Sequence, residues 1–154
     1  MDTPYEKLLV NLGRAGVNFF VVGGVAVALN GFVRTTEDVD ILIERSEDNV
    51  NRLLTSLSTF GEGHARELSV DDFDEAEGAV RVVEEFPLDI FTIMRGRTYI
   101  DFIDQARETE IGGIKIRFLS AEALISLKEP SDREKDQIDV VALRKQAQMN
   151  SEPS

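Results

Sequence analysis

Residues 17–43 read VNFFVVGGVAVALNGFVRTTEDVDILI, and the rest of the fold is built around the elements they contain. Positions 17–22 are apolar, with β-branched and aromatic side chains, and predict a short buried strand. Gly23-Gly24 ends this strand, and positions 25–30 are typical of a short helix. After a loop, positions 38–43 predict a second strand that begins with two acids and is otherwise apolar. The succession of strand, helix and strand predicts a fold of the α/β class.

Two amphipathic helices flank this stretch. Thr3 followed by Pro4 is typical of a helix start, and the apolar periodicity after it predicts a helix ending at Gly13 or Gly16. Ser46 is placed to cap the second helix, in which apolar residues recur at helical spacing. Both helices therefore have an apolar face to pack against a sheet.

Further strands are predicted in the second half of the chain. Positions 79–84 and 88–93 are strand-like runs separated by a short polar and proline-containing break. Positions 110–111 and 114–118 form another pair, split by Gly112-Gly113. Two consecutive glycines accept the positive φ angles that a tight hairpin turn needs, so this pair predicts a β-hairpin.

The C-terminal part predicts a pair of helices. Ser120 and Ser131 are placed to cap two short helices, and Glu134 completes a capping box with Ser131. Positions 150–154 are expected to fray, as chain ends commonly do.

The architecture predicted from these elements is α/β (α+β), a small mixed twisted β-sheet with helices on one face and a C-terminal helical pair. Three aspartates, Asp38, Asp40 and Asp89, are expected on the other face of the sheet. We predict a single domain over residues 1–148, with a core at about 1–118, a helical extension at about 119–148 and a frayed tail at 149–154.

Composition excludes several classes of site and partner. The 154 residues include 17 Lys and Arg against 29 Asp and Glu, for a net charge of −12, and no Cys. Disulfides, thiolate zinc sites and a cysteine nucleophile are therefore excluded, and the charge disfavours a nucleic-acid partner. The longest apolar stretch, positions 19–29, is shorter than the roughly 20 residues of a membrane-spanning helix, so we expect a cytoplasmic protein without a membrane partner.

Asp38 and Asp40 are the most informative pair of polar residues. Residues two apart on a strand point to the same face, with α-carbons about 6.5 Å apart, so both carboxylates can reach one cation. Asp89 lies in a later apolar strand, where an unpartnered carboxylate would be costly to bury. If the two strands are neighbours, three carboxylates converge around a pocket open to solvent. Two alternatives stay open: exposed strand-end positions for the pair, and a salt-bridged strand residue for Asp89.

The order of these residues resembles a known family. Gly-Gly-x-Ala from Gly23, followed by Gly-x-x-Arg-x-Thr-x-Asp-x-Asp from Gly31 to Asp40, is similar to the signature of the DNA polymerase β-like nucleotidyltransferase superfamily. The spacing resembles that of small bacterial members of the AbiEii toxin and antibiotic-nucleotidylating types. Further along, Lys128…Arg133-x-Lys135-Asp136-x-x-Asp139 resembles a helical segment of the same group.

This resemblance implies a mechanism and a site. Asp38 and Asp40 would bind two Mg²⁺ ions that bridge the triphosphate of an incoming NTP, for which we expect ATP. Asp89 would hold the second ion and draw the proton from an acceptor hydroxyl, which attacks the α-phosphorus and expels pyrophosphate. The implied nucleotide-binding residues are Gly23, Gly24, Arg34, Thr36 and Lys128.

Some of these positions have simpler interpretations. Arg34 is equally typical of a surface loop, and Lys128 of a solvated helix position paired with an acid such as Asp132 or Asp139. Many family members carry Ser where this chain has Gly24, so phosphate contacts would come from backbone amides, aided by residues 34–36. The acidic segment at 71–77 predicts a solvated surface.

The sequence leaves the acceptor open between a small molecule and a protein. The acidic charge disfavours tRNA and mildly favours a cationic small molecule such as an aminoglycoside, or a protein. A rival hypothesis is a non-catalytic nucleotidyltransferase-like partner, for example one half of a toxin–antitoxin pair. Gly24 favours this rival, and the retention of three aspartates opposes it.

Overall fold

The structure is a computed structural model that describes residues 4–32 and 36–151. Its helices are α1 (Pro4–Arg14), α2 (Gly23–Leu29), α3 (Glu47–Leu57), α4 (Ala121–Lys128) and α5 (Glu134–Ser151). Its strands are β1 (Phe19–Val22), β2 (Val39–Ile43), β3 (Ala79–Val83), β4 (Pro87–Phe91), β5 (Ile93–Met94), β6 (Arg97–Thr98), β7 (Ala106–Ile111) and β8 (Ile114–Leu119).

Six strands form a mixed sheet in the order β3-β4-β2-β1-β8-β7. The pairs β2/β4 and β1/β8 are parallel, and the other neighbours are antiparallel. The interior strands β1 and β2 are largely buried, which explains their nearly continuous apolar sequences. The α/β class and the mixed sheet are therefore confirmed.

The register of the central strands decides where the polar residues meet. Val22, the last residue of β1, pairs with Asp40 of β2, and Asp40 pairs in turn with Asp89 of β4. Asp89 is also opposite Arg81 of β3. Since paired residues point to the same face of a sheet, three neighbouring strands present charged side chains to one side.

The two predicted amphipathic helices are confirmed. Helix α1 packs on β8, where a side chain at Gly13 would meet Ile114 and Ile116. Ser46 caps α3, with its hydroxyl accepting a hydrogen bond from the amide of Asn49 at 3.2 Å. The predicted cap of α1, Thr3, lies outside the described residues.

The predicted hairpin at Gly112-Gly113 is also confirmed. These glycines have φ angles of 57° and 79° and connect β7 to β8. Strand β7 begins at Ala106, earlier than predicted, because its exposed charged residues lack an apolar alternation. The hairpin of β5 and β6 was not predicted, since its strands have only two residues each. The segment after β6 packs on the sheet through Tyr99, whose ring stacks on Phe20 with centroids 4.3 Å apart.

The ends of several elements differ from the prediction. Helix α2 begins at Gly23, so the glycine pair forms its first turn instead of a break before it. Strand β2 begins at Val39, which leaves Asp38 just before the strand. None of the helices within residues 4–32 and 36–151 is long and apolar enough to cross a membrane.

The C-terminal helical pair is present, but the second cap was predicted wrongly. Ser120 caps α4 as expected, accepting from the amide of Ala123 at 3.3 Å. Helix α5 begins at Glu134, beyond the predicted capping box, because the Ser131 hydroxyl accepts from the Arg133 amide and donates to Asp136. The helix is longer than expected and runs to Ser151, into the tail predicted to fray; residues 152–154 lie outside the described part of the chain.

Candidate active site

The structure brings the three predicted aspartates to one cavity of about 330 Å³ at the end of β2 and β4. Asp40 and Asp89 are neighbours across these parallel strands, and Asp38 is two residues before Asp40. The Asp89 side chain is 12% exposed and that of Asp38 is 41% exposed. The same cavity is lined by four more predicted site residues, Gly23, Gly24, Thr36 and Lys128. Arg34 lies outside the described residues.

Gly23 lets the start of α2 approach the Asp40 carboxylate. Its φ angle is 63°, in the left-handed region that favours glycine. A side chain added at Gly23 would overlap Oδ2 of Asp40. The glycine is therefore required by the position of the carboxylate as well as by its own backbone conformation.

Asp40 is in an electrostatic environment unlike that of an ordinary surface acid. Its pKa is raised from 3.8 to about 7, mainly by burial and also by the nearby carboxylates of Asp89 and Asp38, while Lys128 acts in the opposite direction. Asp40 and Asp89 also lie close enough to share a hydrogen bond. Crowded carboxylates of this kind bind a proton or a cation more strongly than isolated ones.

An arginine already faces these acids. Arg81 Nε donates to Asp89 Oδ1 at 2.7 Å, and Arg81 Nη2 donates to Asp89 Oδ2 at 2.9 Å. The same Nη2 donates to Asp38 Oδ2 at 3.3 Å. Asp89 is thus salt-bridged, as one of the two interpretations of this residue anticipated. Arg81 lines the same cavity as Gly24, Thr36 and Lys128.

Lys128 is held by acids of α5. Its Nζ lies 3.1 Å from Asp136 Oδ1 and 3.0 Å from Asp139 Oδ2. The simpler interpretation correctly anticipated Asp139 as a partner, but the side chain is not solvated, because it is only 13% exposed. The two carboxylates fix the ammonium group at the cavity wall, and it acts electrostatically on Asp40 from there.

A larger cavity of about 570 Å³ adjoins the first and shares Gly23, Asp40 and Lys128 with it. It also shares Phe91, Arg133 and Asp136 with the first cavity, and its remaining walls come from Glu77, Ile93, Met94, Arg95, Leu124 and Leu127. The mixture of apolar and charged side chains suits an organic molecule with polar substituents.

Part of this wall was predicted to be solvated surface. The Glu77 carboxylate accepts from the amides of Arg95 and Gly96, at 3.2 and 2.6 Å, and so ties the acidic segment to the β5–β6 hairpin. Within the same segment Phe73 is buried in the core. The prediction of a solvated segment was therefore wrong at Phe73, whereas Glu77 is exposed as expected.

The donor chemistry of the site suits Mg²⁺. Within residues 4–32 and 36–151, no three His, Cys, Asp or Glu side chains are gathered as a complete ligand set. Mg²⁺ nevertheless needs only one or two carboxylates when phosphate oxygens and water supply the other ligands. One guanidinium already bridges Asp38 and Asp89, which shows that these two acids can be satisfied by a single positive charge.

Arg81 was the main residue of the site that the sequence prediction missed. It is a charged residue inside the otherwise apolar β3, which was a signal that it needs a polar partner. Its opposition to Asp89 depends on the register of the β3–β4 turn, and a shift of one residue would place it on the opposite face.

Comparison with solved structures shows the fold. The lincosamide antibiotic adenylyltransferase LnuA, in its lincomycin-bound form, matches with a TM-score of 0.66 and 20% identity, covering 94% of this chain and 96% of that one. An antigenic nucleotidyltransferase-like protein from Paracoccidioides brasiliensis matches with a TM-score of 0.60 and 17% identity, covering 90% and 72%. ANT(2″)-Ia in complex with adenylyl-2″-tobramycin matches with a TM-score of 0.58 and 14% identity, covering 94% and 90%.

Sequence comparison gives the family. No curated protein matches the chain. Residues 2–152, nearly the whole chain, match the family described as "Nucleotidyl transferase of unknown function (DUF2204)". This match and the folds of the structural neighbours confirm the resemblance to small nucleotidyltransferases that the glycine pair and the aspartates indicated. The chain therefore belongs to this nucleotidyl transferase family.

Proposed function

We propose that the protein is a Mg²⁺-dependent nucleotidyltransferase that moves a nucleoside monophosphate from an NTP to an acceptor hydroxyl. The observation that carries the proposal is the placement of Asp40 beside Asp89 on neighbouring parallel strands, with Asp38 in the same cavity. Family membership supports nucleotidyl transfer in general. Mg²⁺, ATP as the donor, the acceptor and a cytoplasmic location are the further parts of the proposal.

The acids and the cations of the cavity suit different parts of an NTP. Asp38 and Asp40 would hold two Mg²⁺ ions, with Asp89 as a further ligand of the second ion. When bound, the ions would neutralise the charge of the triphosphate and activate the α-phosphorus. Lys128 and the exposed Arg133 and Lys135 line the same cavity and provide positive charge for phosphate oxygens.

The reaction is a displacement at the α-phosphorus. The acceptor hydroxyl gives its proton to Asp89 as its oxygen bonds to the α-phosphorus, and the bond to the β-phosphate breaks to release pyrophosphate. The burial of Asp89 beside Asp40 supports this role for its carboxylate. Orienting both substrates in one cavity contributes to the rate together with charge neutralisation.

A small-molecule acceptor suits the adjoining cavity best. Its volume of about 570 Å³ lies within the range of small-molecule pockets, and it shares Asp40 and Lys128 with the aspartate cavity. LnuA and ANT(2″)-Ia, which have the same fold, were solved with an antibiotic and an adenylylated antibiotic. We therefore propose a small polar organic acceptor ahead of a protein acceptor.

The test is transfer of label from each α-labelled NTP to a panel of hydroxyl acceptors and cell extract in the presence of Mg²⁺. The proposal predicts one labelled product, which Asp38→Asn and Asp40→Asn abolish. Glu108→Gln, a change of an exposed acid on β7, is the matched control and should leave transfer intact. Transfer that survives both aspartate substitutions would contradict the proposal.

The rival hypothesis is a non-catalytic binding partner, for example in a toxin–antitoxin pair. Two observations favour it: Arg81 occupies both oxygens of Asp89, and Gly24 replaces the serine of many relatives. Asp89→Asn separates the two hypotheses. An enzyme would keep its affinity for the nucleotide and lose most turnover, whereas a binding partner would have no turnover to lose.

A further inference from the structure

Arg81 occupies the space between two acids to which the proposed function assigns a metal. Its guanidinium makes a bidentate pair with Asp89, at 2.7 and 2.9 Å, and reaches Asp38 at 3.3 Å. Both oxygens of Asp89 and one oxygen of Asp38 therefore already accept hydrogen bonds from a cation. A divalent ion bound to the same oxygens would lie close to the positive charge of the guanidinium. The ion and the guanidinium therefore compete for the oxygens of Asp89 and Asp38.

The arginine is the more exposed member of this pair. Its side chain is 52% exposed, whereas that of Asp89 is 12% exposed. Asp89 is on β4, between β2 and β3, and Arg81 is on β3, the edge strand. Moving Arg81 into solvent returns a charged group to water, while moving Asp89 would disturb the interior of the sheet.

A bound nucleotide offers the arginine a new partner. Arg81 lines the same cavity as Gly23, Gly24 and Lys128, where the proposed function places the triphosphate. A guanidinium binds phosphate in the same bidentate way as it binds a carboxylate. The guanidinium can thus pass from Asp89 to a phosphate group without leaving the cavity.

We propose that Arg81 is a displaceable counter-cation, which pairs with Asp89 and Asp38 in the free protein and gives way when a divalent metal and a nucleotide bind together. This inference rests on the proposed function. The pairing of Arg81 with these acids makes metal binding weak in the absence of nucleotide, and its release makes metal binding stronger when nucleotide is present. This release also reconciles the Arg81–Asp89 pair with a role of Asp89 in proton transfer, because the carboxylate is released only in the loaded site.

The test is the binding of Mn²⁺, followed by electron paramagnetic resonance of the free ion, with and without a non-hydrolysable ATP analogue. Arg81→Met keeps the apolar stem and removes the charge. In the absence of nucleotide it should bind Mn²⁺ about tenfold more tightly than the unmodified protein, the effect expected from loss of one charged hydrogen-bonded pair. The strengthening of Mn²⁺ binding by the analogue should be smaller in this variant.

Two further variants keep the result interpretable. Arg81→Lys retains a charge without the bidentate fork, so its affinity for Mn²⁺ should lie between the other two, and it serves alone if Arg81→Met does not fold. Arg117→Met removes the arginine of another cross-strand pair, with Glu108 on β7, and should bind Mn²⁺ as the unmodified protein does.

The outcomes separate this inference from the proposed function. Mn²⁺ binding that is equal or weaker in the folded Arg81 variants overturns the displaceable counter-cation and leaves the proposed function standing. A lack of Mn²⁺ binding in every variant, with and without the analogue, overturns both.

Discussion

At the scale of single residues, Gly23 links the backbone of α2 to the Asp40 carboxylate. We predict that Gly23→Ala destabilises the protein by about 1–2 kcal/mol through its positive φ. It should also abolish the stabilisation by Mg²⁺ and ATP, because the added methyl group displaces Asp40. Urea unfolding with and without both ligands measures the two effects.

Gly113→Ala is the matched control for this substitution. Gly113 has a φ angle of 79° in the β7–β8 turn, and a side chain there would meet no atom within 4 Å. The control should lose a similar free energy of unfolding and keep the response to Mg²⁺ and ATP. An equal response in the two variants would contradict the role given to the Gly23–Asp40 contact.

Gly24 is the second residue at which a substitution is informative. It lies in the first turn of α2, where serine is conformationally allowed, and it lines the aspartate cavity. Gly24→Ser should add a hydroxyl donor for phosphate and raise the rate of labelled transfer by roughly threefold to tenfold. A lower rate would show that the glycine itself is needed at this position.

The raised pKa of Asp40 predicts how stability depends on pH. In the folded protein Asp40 keeps its proton up to a pH of about 7, whereas in the unfolded chain it loses the proton near its ordinary pKa of 3.8. The folded state therefore binds more protons in this interval, so the contribution of Asp40 to the free energy of unfolding falls as the pH rises through it.

Urea unfolding of the protein and of Asp40→Asn, at about pH 5 and about pH 8, measures this contribution. The variant should gain stability relative to the unmodified protein as the pH rises, because it lacks the titrating group. A difference between the two proteins that does not change with pH would contradict the raised pKa.

At the scale of secondary-structure elements, the contact between α4 and α5 depends on one buried cation. Lys128 of α4 pairs with Asp136 and with the fully buried Asp139 of α5. Lys128→Met should lower the free energy of unfolding by about 3 kcal/mol, since it removes the cation from a buried carboxylate. Lys135→Met, at an exposed position of α5, should change it little. If urea unfolding gave the same change in free energy for both variants, Lys128 would behave as a solvated helix residue, and the predicted loss would be contradicted.

The same elements show what the sequence could and could not predict. Helices α1 and α3 and the strands β1, β2 and β4 followed from apolar periodicity, because their burial is dictated by local pattern. The start of α5 did not, because the Ser131 hydroxyl accepts from the amide of Arg133 and donates to Asp136. A local pattern cannot show which donor and which acceptor a hydroxyl will meet.

Some features of the candidate site could also be predicted from the sequence, and others could not. The spacing of Asp38 and Asp40 indicated that both carboxylates reach one cavity, although Asp38 lies just before the strand. The apolar context of Asp89 indicated a partner for that carboxylate. The identity of the partner, Arg81, required the register between β3 and β4, which depends on the tertiary structure.

At the scale of the whole molecule, the strongly acidic chain brings four basic side chains to the aspartate cavity. With a net charge of −12, the protein as a whole repels a polyphosphate. Lys128, Arg133, Lys135 and Arg81 nevertheless line the cavity that holds the aspartates. Entry of an NTP together with a divalent ion would reduce this repulsion further, so binding of the two should be mutually dependent.

Calorimetric titration with a non-hydrolysable ATP analogue, in Mg²⁺ and in a chelator, tests most directly whether the aspartates form a metal and nucleotide site. We expect binding in Mg²⁺ that weakens at least about tenfold in the chelator, and a similar loss in Asp40→Asn even when Mg²⁺ is present. An affinity that is the same with and without Mg²⁺, and unchanged in Asp40→Asn, would contradict the claim that these aspartates form a metal and nucleotide site.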